Sequence, residues 1–384
     1  MKVAVLGYGT VGAGVYSMLS DAPGMEAGPV LVRPGKAVES FMVSDAALIF
    51  GDPTVDAVVE TLGGLDPAYS YGMRALEAGK HFITANKAMV AAHGLELAAL
   101  AREKGAAFLF SAACGGGVPF LHNLALSAET DRIEAVSGIL NGTTNYMLDA
   151  MQRRSLSYGD ALREAQSLGY AESDPTADVS GLDALRKMQL ACAVAFGVLP
   201  QSGMLCEGME HFTAADVEDI QSRGLVCRLM ARGSRAGESV SAYVEPVLFP
   251  RAAPESSVFT NNNMARYTGK RCGSIVLMGQ GAGRFPTASA VLRDLSAAQQ
   301  GARSMFPENC RAAEADNREA VHSYYIRTGG FAAVRLPLRS VLAQGEVVRA
   351  VTEPMIAEKM HALAQNIRKD GNDLFFAALE EELC

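Results

Sequence analysis

No stretch of this 384-residue chain approaches about eighteen consecutive apolar residues, so no membrane-spanning helix is expected. Basic residues are the minority. The 34 Lys and Arg stand against 42 Asp and Glu, the formal net charge is −8, and no basic patch stands out. Nucleic acid is therefore not expected as a partner. The cysteines (Cys114, Cys192, Cys206, Cys227, Cys272, Cys310 and Cys384) are odd in number and lack CxxC spacing. That argues against a zinc site or a disulfide framework and fits a reducing cytoplasm. The opening MKVAVLGYG runs from an apolar strand straight into glycines with no small-residue cleavage site, so no signal peptide is expected. Repeats of solenoid period are missing as well. What is present is globular: 49% hydrophobic and 20% charged residues, over a length that suggests two or three domains.

Strands alternate with helices from the start. KVAVL (2–6), PVLVR (29–33), DAVVE (56–60), HFIT (81–84) and AAFLF (106–110) read as strands. VYSML, YSYGMRALEAGK (69–80) and HGLELAALAREKG (93–105) read as helices between them. This alternation predicts right-handed crossovers and a mainly parallel sheet, the α/β class. After Pro119 the pattern changes. A helix is expected at LHNLALSAE, then a strand that breaks at an Asn-Gly turn, helices over 158–168 and 182–197, and mixed elements over 216–283. PTASAVLRDLSAAQQ (286–300) reads as a helix opened by proline, and 301–320 as a polar, alanine-rich linker. The tail carries HSYYIRT as a strand, a helix near 353–368, and DLFFAALE as a strand.

Gly7, Gly9 and Gly12 form GxGxxG between the first strand and the first helix. The first glycine allows the tight turn, the second lets a pyrophosphate approach, and the third lets helix and strand pack. Thr10 and Val11 lie inside the same loop. A dinucleotide is the expected ligand, its pyrophosphate on the positive helix N-terminus. The second strand ends in Arg33, with Lys36 three residues on and no carboxylate before Glu39. Two cations suit a ribose 2′-phosphate, so NADP is preferred, although a cation does not exclude NAD.

Two longer segments go further. GILNGTTNYML (138–148) and GYAESDPTADVSGLDALRK (169–187) resemble the two signature segments of the homoserine dehydrogenase family. VVETLGG (58–64), TANKAMVA (84–91), CGGGVP (114–119) and GQGAGRFPTASAVLRDL (279–295) support the resemblance in order and spacing across residues 1–300. It implies an N-terminal Rossmann dinucleotide-binding domain (1–120) completed by a returning helix near 286–300. It further implies an α/β catalytic and dimerisation domain (121–285), and an ACT-like tail (321–384) that is shortened or divergent. The activity it implies is reversible NAD(P)H-dependent reduction of L-aspartate 4-semialdehyde to L-homoserine, on the route to threonine and methionine, by a cytoplasmic homodimer.

Residue by residue, the resemblance makes Lys187 the acid/base, with Asp183 four residues earlier on the same helix face. An exposed ion pair, or an S-x-x-D capping box from Ser180 to Asp183, are the competing readings of those residues. Lys87 resembles a second active-site lysine near substrate and nicotinamide. Glu172, Tyr170, Gly142 and Thr143 resemble substrate contacts, and Asp174 and Asp178 read as turn and cap chemistry. Gly283 joins the cofactor residues. The main-chain carbonyls of Ser111, Cys114, Gly116 and Val118 match a monovalent cation loop, sodium in the family. The sequence departs there, with Ser111 where Glu is usual and Cys114 where Val is usual. Cys114 as a thiol nucleophile has no His partner in view. Outside enzymes, the competing function is a catalytically silent nucleotide-binding paralogue that senses an amino acid.

Overall fold

The computed structural model describes residues 1–333 and 335–380. They cluster into two compact units. The first comprises Met1–Ile133, Gln189–Leu199 and Gly269–Ala312; the second comprises Glu134–Met188, Pro200–Thr268 and the chain from Ala313 on.

The first unit is built on a parallel sheet. Its strands are β1 (Lys2–Leu6), β2 (Glu26–Leu31), β3 (Met42–Val43), β4 (Ala57–Glu60), β5 (His81–Thr84) and β6 (Phe108–Leu109), in the order β3-β2-β1-β4-β5-β6. That is the doubly wound dinucleotide-binding order, which gathers the carboxyl ends of the strands along one edge. Valines and isoleucines fill the strands because both sheet faces are covered; Val3, Val5, Val58, Val59 and Ile83 are fully buried. The longer helices are α1 (Thr10–Leu19), α2 (Ala68–Glu77), α3 (Lys87–Lys104) and α4 (Phe120–Thr130). Helix α3 starts six residues before the position its apolar spacing suggests. Asn86 supplies the reason: its side-chain oxygen accepts from Met89 N at 3.1 Å and caps the helix, so Lys87 is a first-turn residue rather than a turn lysine.

The returning helix, Arg284–Gln299, packs on α1: a Cβ added to Gly14 would meet Arg284 Cγ at 2.9 Å and Ala288 Cβ at 3.2 Å. Residues 301–308 are not a linker. Phe108 N donates to Arg303 O at 2.7 Å, Ser304 bridges Phe108 in parallel, and Met305 and Phe306 are buried with Phe306 against the Phe110 ring. Two apolar anchors within a polar run are enough to extend the sheet edge.

The second unit is built on β7 (Ile133–Ile139), β8 (Leu205–Cys206), β9 (Leu225–Ala236), β10 (Ser239–Pro250), β11 (Asn262–Gly269), β12 (Tyr324–Gly329), β13 (Leu338–Ala343), β14 (Val347–Thr352) and β15 (Leu374–Leu379). Within this unit the order is β11-β7-β9-β10-β15-β12-β14-β13, with β8 beside β10. Its longer helices are α5 (Gly142–Arg154), α6 (Tyr158–Ser167), α7 (Leu182–Phe196, continuing into the first unit), α8 (Ala214–Ser222) and α9 (Ala357–Lys369). Residues 324–379 run strand, single helical turn (Gly330–Ala333), strand, strand, helix, strand, with a two-residue strand (Met355–Ile356) before the last helix. Their last strand, β15, pairs parallel to β10 and antiparallel to β12, so one sheet runs through the unit. The core is shared too: Met230, Val247 and Phe249 pack with Tyr324, Ile326, Met360, Ile367 and Phe376.

In the first unit Asp294, on the returning helix, is 1% exposed, and its Oδ2 accepts from Ser111 N at 2.7 Å. Burial pushes this carboxyl up from 3.8 to about 7, against hydrogen bonds from Ser111 and the charge of Arg293. Between those values the native state keeps a proton that the unfolded chain has lost, so its contribution makes stability fall as pH rises. Asp294→Asn is expected to remove that slope. Its stability relative to wild type should climb between pH 4 and 7 by up to about 1.4 kcal/mol per pH unit. Urea denaturation across this range checks it; a pH-independent difference would sink the assignment.

Candidate active site

In the first unit β1 ends at Leu6 and Gly7 turns the chain with φ 100°, its N–H donating to Leu31 O. Gly9 is the N-cap of α1 with no side-chain cap, so the first-turn amides through Thr10 and Val11 keep the orientation that suits an anion. Glycine is required at Gly12, where a Cβ would meet Gly7 O at 2.1 Å and Thr61 Oγ1 at 2.7 Å. At Gly9 a Cβ would meet nothing within 4 Å, which leaves open space over the loop. This cradle fits a dinucleotide pyrophosphate. Arg33 and Lys36 are exposed in the turn after β2, with Lys36 N donating to Arg33 O. Gly283, φ 124°, is the N-cap of the returning helix.

The residue that organises this edge is one the sequence reading passed over. Glu60, fully buried at the end of β4, accepts from Leu62 N at 2.6 Å, Gly63 N at 3.0 Å and Thr84 Oγ1 at 2.5 Å. Thr84 Oγ1 in turn accepts from Asn86 N, and Asn86 Nδ2 donates to Gly64 O at 2.6 Å. The turns after β4 and β5, and the start of α3 at Lys87, therefore form one hydrogen-bonded assembly.

The CGGGVP loop follows a 3₁₀ turn, Ser111–Ala113. Gly115 and Gly116 take φ 86° and 51°, and a Cβ on Gly116 would strike Gly281 O at 2.4 Å. Val118 N donates to Gly115 O, and Cys114 N to Ser111 O. Cys114 is fully buried, which does not suit a nucleophile. Among the described residues no group of three or more His, Cys, Asp or Glu is arranged to hold a metal ion.

In the second unit the Asn-Gly pair after β7 is a helix start, not a hairpin turn. Asn141 caps α5 through Oδ1, which accepts from Thr144 N at 2.8 Å. Its amide nitrogen donates to Asp178 Oδ1 at 2.7 Å and to Asp183 Oδ2 at 2.9 Å. One turn along α7, Lys187 Nζ lies 2.7 Å from Asp183 Oδ2 and donates to Leu140 O at 2.6 Å. The two side chains are 11% and 12% exposed, so this is not a surface ion pair. It is not a capping arrangement either: Ser180 Oγ is buried with no hydrogen-bond partner among the described residues.

Thr143 Oγ1 lies 2.5 Å from Tyr170 O and 3.1 Å from Asp178 Oδ2, and the Tyr170 ring, 38% exposed, packs at 5.1 Å on Tyr146. Gly142 approaches Asn261, where a Cβ would meet its carbonyl at 2.8 Å. Asp174 accepts from Thr176 N and Oγ1, which is turn chemistry. Glu172 is exposed, and its carbonyl accepts from Gln166 Nε2. The structure thus gathers Thr143, Tyr170, Asp178, Asp183 and Lys187 around Asn141. Asp178, read from the sequence as loop chemistry, sits inside this group. Asn141 was overlooked because Asn-Gly is also a turn signal; its place as the Asn just before a helical run was the cue.

A family model described as "Homoserine dehydrogenase" matches residues 119–296, and one described as "Homoserine dehydrogenase, NAD binding domain" matches residues 7–111. The chain belongs to the homoserine dehydrogenase family. It is 37% identical over 319 residues to a homoserine dehydrogenase of Synechocystis sp., covering 77% of this chain and 72% of that one. It is 38% identical over 314 residues to that of Corynebacterium glutamicum, covering 76% and 70%. The crystal structure of a homoserine dehydrogenase from Thiobacillus denitrificans superposes with a TM-score of 0.87 at 29% identity, covering 99% of this chain and 98% of that one. Like the homoserine dehydrogenases it matches, the protein is an oxidoreductase that uses a nicotinamide cofactor on a small-molecule substrate.

Asn141 gives this candidate site a direct test. Asn141→Asp keeps a capping oxygen but loses the donor that bridges Asp178 and Asp183; Asn141→Ala loses both. Both variants are expected to lower kcat/KM at least about tenfold, while only Asn141→Ala loses roughly 1 kcal/mol of helix capping. Wild-type turnover by Asn141→Asp would show that the bridge does not matter.

Proposed function

We propose that Lys187 donates the proton in the reduction of L-aspartate 4-semialdehyde to L-homoserine and takes it back in the reverse reaction. The observation that carries this is a lysine ammonium held, almost buried, by Asp183 Oδ2 at 2.7 Å and Leu140 O at 2.6 Å. Bound NAD(P)H supplies a hydride to the aldehyde carbon. As that carbon is reduced its oxygen gains negative charge, which a nearby ammonium stabilises and then protonates. Asp183 keeps Lys187 charged in the ground state, and Asn141 keeps Asp183 in place. After transfer the neutral amine is reprotonated from solvent.

Glu172 is assigned to the substrate's α-ammonium or hydroxyl. Tyr170 and Thr143 are assigned to orienting it, and the amides at the start of α5, from Gly142, to its carboxylate. Lys87, at the first turn of α3, is assigned the second cationic role, towards substrate and nicotinamide. The cofactor cradle comprises Gly7, Gly9, Thr10, Val11, Gly12 and Gly283. Arg33 and Lys36 are assigned to a 2′-phosphate, which makes NADP the preferred form.

For the cation assigned to Ser111, Cys114, Gly116 and Val118, main-chain oxygens suit a hard ion whatever the side chains. Arg293 opposes it by charge, donating to Gly117 O in the same loop at 3.1 Å. Sodium is therefore given no step in the reaction. Residues 321–384 are read as an ACT-like module, supported by the strand order β15-β12-β14-β13 and the βαββαβ connectivity. A cytoplasmic homodimer is the expected form; the odd number of cysteines without CxxC spacing fits a reducing compartment. A silent sensor is disfavoured by the intact Asp183–Lys187 pair.

Lys187→Ala is expected to lower kcat for NADPH oxidation with aspartate semialdehyde by about a thousandfold, within the range of lost acid catalysis. Equal rates in the two proteins would remove the proton-donor role. Arg33→Ala is expected to raise KM for NADPH about tenfold or more and leave KM for NADH within about twofold. A parallel rise in both would refute the 2′-phosphate assignment.

A further inference from the structure

Helix α7 begins at Leu182, and what fixes its start lies across the unit. Gly181, φ 83°, makes the corner, and a Cβ there would meet Cys206 Sγ and Val244 Cγ1, each at 3.1 Å. The strap that follows β8 lies against this corner. Cys206 Sγ donates to Ser180 O at 3.1 Å, and Met209 N donates to Val179 O at 2.8 Å. Gly208 approaches so closely that a Cβ would meet Val179 O at 2.2 Å and Ser180 Cα at 2.6 Å.

The other side of the strap is gripped by the C-terminal segment. Arg368, in the last turn of α9, donates from Nη2 to Glu207 Oε1 at 2.6 Å and from Nη1 to Glu207 Oε2 at 3.0 Å. The same guanidinium donates through Nε and Nη2 to Leu374 O at 3.1 and 2.8 Å, which fixes it between α9 and β15. Arg327 of β12 adds a second hold: Nη2 donates to His211 O at 2.8 Å, and Nε pairs with Asp216 at 2.7 Å. The Arg368–Glu207 pair is largely buried, with side chains 18% and 10% exposed. A bidentate Arg–carboxylate pair specifies position as well as charge.

We propose that Arg368 is a positioning residue for the reaction: through Glu207 and the 206–209 strap it sets where α7 starts, and so where Asp183 and Lys187 stand. The path is short and continuous. It runs from the guanidinium to the Glu207 carboxylate, along two residues of strap to Val179 O, and then over four residues to Asp183. An error of about 1 Å in a reacting group is enough to cost about a hundredfold in rate. Asp373 holds the next part of the strap, its Oδ1 3.3 Å from His211 Nδ1. The proposal rests on the reading of Lys187 as proton donor.

The test uses the full-length protein with Arg368→Gln, Glu207→Gln, the double variant and Arg368→Lys. It measures kcat and KM with NADPH and aspartate semialdehyde, and amide hydrogen exchange of residues 177–188. Arg368→Gln and Glu207→Gln are each expected to lower kcat about tenfold with KM for NADPH within about twofold, and to speed exchange over 177–188. The double variant should be no worse than the poorer single, because both remove one link. Arg368→Lys should recover part of the rate. If Arg368→Gln does not fold, Glu207→Gln carries the same reading. Unchanged kcat in a folded single variant, additive losses, or faster exchange confined to 206–211 and 357–374 would each overturn the proposal. Wild-type turnover by Lys187→Ala would instead remove the proton-donor reading, and the exchange and coupling measurements would still judge the Arg368 link by itself.

Discussion

A lysine ammonium that is almost buried must be neutralised where it sits, and much of the second unit follows from that constraint. Lys187 takes a carboxylate from one turn back on α7 and a carbonyl from the end of β7. Asp183 is then itself a buried charge, and Asn141 answers with an amide donor. Asn141 lies in reach of Asp183 because it caps α5, so the helix start and the charge pair share one side chain. For Asp183 to lie in the first turn of α7, the chain must turn sharply at Gly181, and the left-handed glycine there makes the corner. A single titratable pair thus ties together β7, α5 and α7.

The first unit meets a different demand, an anion without a permanent countercharge at the loop. It answers with backbone. Gly12 brings α1 against the Gly7 carbonyl, and the helix amides at Thr10 and Val11 keep their orientation. Glu60 does for this unit what Asn141 does for the other. One buried carboxylate gathers two turn amides and a threonine hydroxyl, and so fixes the turns from which Lys87 projects. In both units the side chain that holds the geometry is not the one given the chemistry.

That division explains what could be read in the sequence. Strands such as KVAVL, and helices 158–168 and 182–197, were legible because burial imposes a period, and the glycine loop because only glycine fits at Gly12. Lys187 and Asp183 stood four apart before an apolar run, which shows a shared face. Asn141, Asp178 and Glu60 were harder, because their partners across the fold lie 24 to 42 residues away, and the one local cue, Asn141 before a helical run, is shared with a turn signal. Helix α3 was placed late because a cap, not periodicity, sets its start. Residues 301–308 read as linker because two buried side chains do not outweigh a polar composition.

The order of strands in the second unit bears on how the chain is made. β15, Leu374–Leu379, lies between β10 and β12, so the segment synthesised after all of its neighbours occupies an interior place in the sheet. Until it emerges, β10 and β12 each present an unsatisfied backbone edge, of the kind that recruits the wrong partner. A nascent chain that carries every residue assigned to the chemistry is therefore still an open sheet with two adhesive borders, and translation through residue 379 is what closes it.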